Sequence, residues 1–208
     1  MRSRCHARGT FLSLAMLVAA LVACQPSQPI TITPARLAGT PGHVFVINLE
    51  NKGYDQVWGT GSPAPYLART LRQQGVLLSS YYGIAHHSLP NYLAQVSGQP
   101  TNRSTMQDCQ TYSAFSPSGT DSRGRLLGSG CVFPENVPTL AGQLTSAGRS
   151  WRGYMEDMSS PCQHPMLGAA DPHQHATAGD QYATRLKPVA HFRLSTAYPA
   201  APTRMANF

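Results

Sequence analysis

"HVFVINLE", residues 43–50, is a near-continuous apolar run that follows Gly42 and ends at an acid. A strand with one wet face alternates apolar and polar residues, whereas a run apolar on both faces belongs in a parallel sheet covered from both sides. Residues 43–49 therefore read as a buried strand. Downstream, "PAPYLARTLRQQG" (63–75) starts with prolines, spaces Leu67 and Leu71 one helical turn apart and stops at Gly75. "VLLSSYY" (76–82) reads as a second strand, and Leu89, Tyr92, Leu93 and Val96 then share one helical face. "VPTLAGQLTSAG" (137–148) is a further helix and "SWRGYME" (150–156) a further strand. Strands alternating with helices in this order predict an α/β fold with a doubly wound parallel sheet. Residues 99–136 show no period and read as a long excursion tied by a disulfide.

The first residues are not part of that pattern. Arg2, Arg4 and Arg8 form a basic leader, and Phe11 to Ala23 form an apolar run too short to span a bilayer comfortably. Leu21-Val22-Ala23-Cys24 looks like a lipoprotein cleavage box. Residues 1–23 are then a signal peptide, Cys24 is the lipidated first residue, and the Pro/Thr/Ser-rich stretch to residue 42 is a tether. An ordinary signal peptide with an incidental Cys24 is the other reading. The expectation is an exported protein held at the membrane of the cell envelope by lipid.

The formal charge is +7; without the three leader arginines, 13 basic and 9 acidic residues leave +4. The basic residues are scattered and almost all arginine, without a run, so no nucleic-acid partner is indicated. Outside the leader and Cys24, three cysteines remain: Cys109, Cys131 and Cys162. Export favours pairing. Cys109 and Cys131 bracket the Ser/Gly-rich excursion and are expected to join, leaving Cys162 without a later partner.

In open α/β sheets, sites form beyond the carboxyl ends of the strands. The first strand would bring Glu50 and Asn51 to that edge, two hard oxygen donors suited to a divalent cation. A turn cap is the alternative role for such a pair. The second strand leads into "AHHSLPNYLAQVSG" (85–98), where Ser88 opens a helix with Pro90 in its first turn. Unbonded N–H groups and the dipole there favour an anion such as a phosphate. Ser88 is then either an activated nucleophile or a helix cap.

The two motifs together, "VFVINLENKGYDQVWG" and "AHHSLPNYLAQVSGQ", resemble a bacterial phosphoesterase family that includes acid phosphatases and phospholipase-C-like enzymes, within the alkaline-phosphatase-like superfamily. "SWRGYMEDMSSPC" (150–162) shares the likeness, which runs from about His43 to about Arg185. The resemblance implies an αβα sandwich, Glu50 and Asn51 as metal ligands, a divalent metal cofactor, and Ser88 as a nucleophile carrying a phosphoseryl intermediate. It implies a small phosphoester as substrate. His86 matches the histidine of the motif and is a candidate contact for the phosphate or leaving group; a histidine hydrogen-bonded at a strand end is the other role. Asn91, Glu156 and Asp157 read as structural. His164, His173 and His175 suggest a metal tract, but a solvated loop is the better reading of their Pro/Ala/Gly-rich surroundings.

Past Arg185 the likeness stops, acidic residues vanish after Asp180, and no cysteine follows Cys162. These signs lead to the expectation of a truncated or frameshifted chain: a partial phosphoesterase domain at 43–185 and a divergent tail at 186–208. Two functions follow. One is a metal-dependent phosphoesterase acting through Ser88, impaired by missing metal ligands. The other is a non-catalytic lipoprotein remnant or phosphate-binding module.

Overall fold

The computed structural model describes residues 41–192 and the backbone of Met205–Ala206. The leader, Cys24, the tether to residue 40 and most of the tail lie outside the described residues. The chain divides into two units, Met1–Thr70 and Leu71–Phe208.

In the first unit, residues 43–49 are not a strand, which corrects the reading of the opening run. Val44, Phe45 and Ile47 are 77%, 82% and 79% exposed, and among the described residues no strand pairs with theirs. The physical reason is that a run apolar on both faces is stable as a strand only between neighbours that pair its backbone and cover both sides. Glu50 and Asn51 consequently lie ahead of a helix rather than at a sheet edge. That helix, α1 (Tyr54–Trp58), starts where the Gln56 side chain accepts from the Gly53 N–H at 2.9 Å. It stops at Gly59, whose N–H reaches the Asp55 carbonyl at 2.9 Å. A Cβ on Gly59 would lie 2.3 Å from that oxygen, so the stop needs glycine. The helix foreseen at 63–75 is present as a π-helical stretch, Tyr66–Leu71, running into α2 (Arg72–Gln74).

In the second unit, residues 76–82 are also not a strand. Val76, Tyr81 and Tyr82 are 88%, 76% and 78% exposed, and the backbone turns at Ser79-Ser80, where the Tyr81 N–H meets the Leu78 carbonyl at 3.3 Å. A tight turn cannot lie inside a straight strand. Helix α3 (Ser88–Ser97) forms as its period requires, with Leu89 and Leu93 buried and Gly98 in the left-handed conformation (φ 70°) closing it. The excursion after it holds a hairpin. Strands β1 (Ser116–Thr120) and β2 (Leu126–Ser129) pair antiparallel, with a bulge between Pro117 and Gly119. Asp121 builds the turn: its carboxylate accepts from the N–H groups of Arg123 and Arg125 at 2.9 and 3.0 Å and from the Arg125 guanidinium. Those hydrogen bonds, the Arg125 side chain first, hold its carboxyl below the usual range. Helix α4 (Leu140–Ser146) is capped by Thr139, whose hydroxyl accepts from the Gly142 N–H at 3.0 Å. The strand expected at 150–155 is reduced to β3 (Gly153–Tyr154). It pairs parallel with β4 (Met205–Ala206), in register Gly153↔Met205 and Tyr154↔Ala206. The fold is thus mixed α/β, with helices and a small antiparallel sheet, and not the continuous parallel sheet read from the sequence.

The core of this unit is built by α3 and the excursion. Leu89, Leu93, Tyr112, Phe115, Val132, Phe133 and Phe192 pack with the Cys109–Cys131 disulfide, whose Cα atoms are 5.9 Å apart. The pairing read from the sequence is present. Phe115, Phe133 and Phe192 stack in sequence at 4.6 and 5.3 Å between ring centroids. Each fully buried side chain of this kind contributes about 1.5–3 kcal/mol of transfer free energy. The stretch after Arg185 is part of this packing: Pro188–His191 forms a 3-10 turn, and the Phe133 N–H donates to the His191 carbonyl at 2.7 Å. A second cluster joins Ala141, Met158, Tyr182 and Val189. Beside it lies Lys187, with no exposed surface. Its ammonium donates to the Gln163 carbonyl and sits 5.3 Å from the Tyr182 ring centroid. Burial pushes it down to about 8.

Candidate functional site at the mouth of helix α3

Ser88 is the first residue of α3 and is half-buried, but it is not the cap. The preceding residue, His87, also makes no side-chain capping bond. The side chain of Asp108 takes that role. Asp108 Oδ1 accepts from the Leu89 N–H at 2.9 Å, filling one of the donors a helix start leaves unbonded. Asn91 reaches back over the preceding turn. Its Oδ1 accepts from the N–H groups of Ile84 and Ala85 at 2.7 and 3.2 Å, and its Nδ2 donates to the carbonyls of His87 and Ala85 at 2.6 and 2.9 Å. Asn91 is therefore structural, as read, and it fixes residues 84–87 against the helix that presents Ser88.

Asp108 is positioned from the far side of the core. It closes the 3-10 turn Thr105–Gln107 in the left-handed region (φ 53°), a conformation aspartate tolerates better than most residues. The adjacent Cys109 is tied to Cys131, and Asn102 ties the same turn to the end of β2 by donating to the Gly130 carbonyl at 3.0 Å. Gln174 donates to the Asp108 carbonyl at 3.3 Å. The Asp108 carboxylate faces two basic groups: His87 Nδ1 at 3.3 Å and Arg185 Nε at 4.0 Å from Oδ2. The Arg185 Nε is buried with no hydrogen-bond partner among the described residues, while Nη1 donates to His175 Nδ1 at 3.4 Å.

The arrangement holds a carboxylate, an imidazole and a guanidinium around the start of a ten-residue helix whose first residue is a serine. A carboxylate on one imidazole nitrogen fixes the tautomer and keeps the other nitrogen ready to take or give a proton. In this structure the histidine so held is His87, whereas the sequence motif pointed to His86, which is exposed and makes no hydrogen bond among the described residues. Asp108 and Arg185 were missed by sequence reading. Neither follows a strand or belongs to a spaced motif, and only the tertiary fold brings them to residue 88.

The other candidates are distributed. Asp157 Oδ2 accepts from the Gln181 N–H at 2.8 Å, a structural role, and Glu156 is exposed. His164 stacks on Tyr112 at 5.1 Å, and His173 takes Gln163 and Asp180 as partners, so the three histidines do not converge on one point. Glu50 is half-buried and Asn51 exposed, with Asn51 in the left-handed region at φ 56°. The pair offers two oxygen donors, against the roughly six to eight that a hard cation such as calcium takes. Glu50 belongs to no group of three ligating side chains among the described residues. By themselves the two residues do not fit a hard-cation site.

Comparison with known proteins gives this geometry a setting. The model of the Phosphoesterase family matches residues 62–208. The match begins beyond Glu50 and Asn51 and takes in 186–208, which the sequence resemblance left out. The chain is 28% identical over 138 residues to a phosphate-repressible acid phosphatase of Penicillium chrysogenum, covering 66% of this chain and 27% of that protein. It is 31% identical over 112 residues to a probable acid phosphatase of Kluyveromyces lactis, covering 54% and 20%. The chain thus spans about a quarter of the length of these relatives. No solved structure matches.

Proposed function

This chain belongs to the phosphoesterase family, and on that premise we propose that its ancestral chemistry is hydrolysis of a small phosphoester through Ser88. The observation that carries the reading is the start of α3. Asp108 takes over the capping work, so capping does not account for a serine at position 88. As Ser88 Oγ bonds to phosphorus it gives up its proton to a base, the P–O bond to the leaving group breaks, the leaving alkoxide takes that proton, and a phosphoseryl ester remains until water cleaves it. His87, the adjacent residue and oriented by Asp108, is the group assigned to move that proton, with His86 the alternative from the motif. Arg185 supplies positive charge for the phosphoryl oxygens.

Metal dependence belongs to the same proposal. The resemblance implies it, and Glu50 and Asn51, two oxygen donors, do not by themselves supply the ligands a divalent ion needs. The αβα sandwich that the family resemblance implies, and export as a lipoprotein anchored through Cys24, which the cleavage box supports, complete the reading.

The test is mass mapping after incubation with a chromogenic phosphomonoester and a divalent metal. Phosphate on the peptide containing Ser88, absent in Ser88→Ala, is the expected result. Hydrolysis at an unchanged rate in Ser88→Ala would remove the nucleophile from this reading. The second reading, a phosphate-binding module without catalysis, draws on the two-donor metal pair. It predicts phosphate binding that survives Ser88→Ala, with no phosphoseryl peptide in either protein.

A further inference from the structure

Away from Ser88, the core contains a cluster with the donors of a metal site. The sulfurs of Cys109 and Cys131 and one ring nitrogen of His191 lie within 4.8 Å of one another, and all three residues are buried. Their exposures are 2%, 0% and 1%. His191 Nδ1 lies 3.2 Å from the Cys131 carbonyl, an acceptor, so Nδ1 carries the ring proton and donates it. That tautomer leaves the lone pair on Nε2, which is buried and has no hydrogen-bond partner among the described residues. A histidine that donates one ring N–H to a backbone carbonyl has the preparation typical of a metal ligand. The carbonyl of Thr111 lies 3.3 Å from the Cys109 sulfur and 3.4 Å from the Cys131 sulfur. A disulfide has no proton to give that oxygen; two thiols do.

We propose that Cys109, Cys131 and His191 form a second site, distinct from the mouth of α3, that holds one zinc-class divalent ion when the disulfide is reduced. Disulfide and metal are then alternative states of the same three residues. Two thiolates and a neutral imidazole are the soft-to-borderline set that selects such an ion over magnesium or calcium. The fourth position falls to water or to the Thr111 carbonyl. The conversion balances with a small dithiol as reductant. The dithiol closes to its own cyclic disulfide, its two electrons and two protons pass to the protein, and the Cys109–Cys131 bond opens to two thiols. Metal uptake then displaces those two protons.

The full chain, reduced with a dithiol and desalted without oxygen, is titrated with cobalt(II) as a spectroscopic stand-in for zinc. One cobalt per chain is expected, with an intense thiolate-to-cobalt absorption that zinc abolishes and the oxidised protein never shows. Two protons should be released per ion. His191→Ala should weaken binding at least tenfold, and Cys162→Ser should leave it unchanged. The comparison of oxidised and reduced wild-type protein needs no variant, and circular dichroism follows the fold throughout. Three outcomes overturn the proposal: no stoichiometric uptake after reduction, equal uptake by the Cys109→Ser/Cys131→Ser protein, or loss of fold on reduction that zinc does not restore.

Discussion

At the scale of single residues, Asn91 is the most connected side chain near the candidate site. It makes four hydrogen bonds to residues 84–87, and removing it leaves several backbone groups without partners. Asn91→Ala is expected to lower stability by about 1 kcal/mol, measured by denaturant unfolding, because two of its four bonds are part-buried and two exposed, and an intramolecular hydrogen bond contributes about 0.5–1.5 kcal/mol net. The sequence placed Asn91 one turn from Ser88 and no more, since a side chain's partners are fixed by where the chain returns. Lys187 gives a second residue-level test. Burial holds its ammonium at about 8, well below the ordinary lysine value. Below pH 8 the folded state carries a buried charge that the unfolded state solvates freely. Between about 8 and 10.4 the unfolded chain binds more protons there than the folded one, so stability rises with pH across that window. Raised Tyr182 and Cys162 groups act in the opposite sense, so the comparison is made against Lys187→Met, which keeps them. Wild type should gain on that variant as pH rises from 7.5 to 9.5; a constant gap would sink the idea.

At the scale of elements, the helices were legible and the strands were not. The 3.6-residue period and glycine stops placed α3 and α4, because a helix satisfies its own backbone within a dozen residues. Residues 43–49 and 76–82 have strand composition, but pairing depends on distant chain that composition does not contain. The hairpin at 116–129 was read only as an excursion, although "TDSRGR" carries its Asp121 turn; the lack of alternation in "SPSGT" hid it. The disulfide was legible because the expectation of export and the bracketed loop left few choices. Opening it is expected to cost about 3 kcal/mol for a closure of this length, read as a shift of the unfolding midpoint under reductant without metal. The exposed run Val44–Ile47 predicts concentration-dependent association, since an uncovered apolar strand-former is an aggregation hazard. Phe45→Lys with Ile47→Lys should suppress it in light scattering.

At the scale of the whole molecule, the stretch after Arg185 proves more than a tail, since Val189, Ala190, His191 and Phe192 are all buried. A chain ended at Arg185 should lose its cooperative unfolding transition in calorimetry, while one ended at Phe192 should keep it. The sequence resemblance stopped where this packing begins, because contacts, not motifs, make residues 189–192 indispensable. Their partners are far upstream: Tyr112 donates to the Ala190 carbonyl, and Phe133 stacks on Phe192. During synthesis, α3 and its Asn91 latch can form as soon as they emerge, since their contacts span only a few residues. The aromatic stack cannot close until position 192 has left the ribosome. From their own synthesis until residue 192 is made, Tyr112, Phe115 and Phe133 have no final resting place, and they remain available to any chaperone or neighbour that binds aromatic surface.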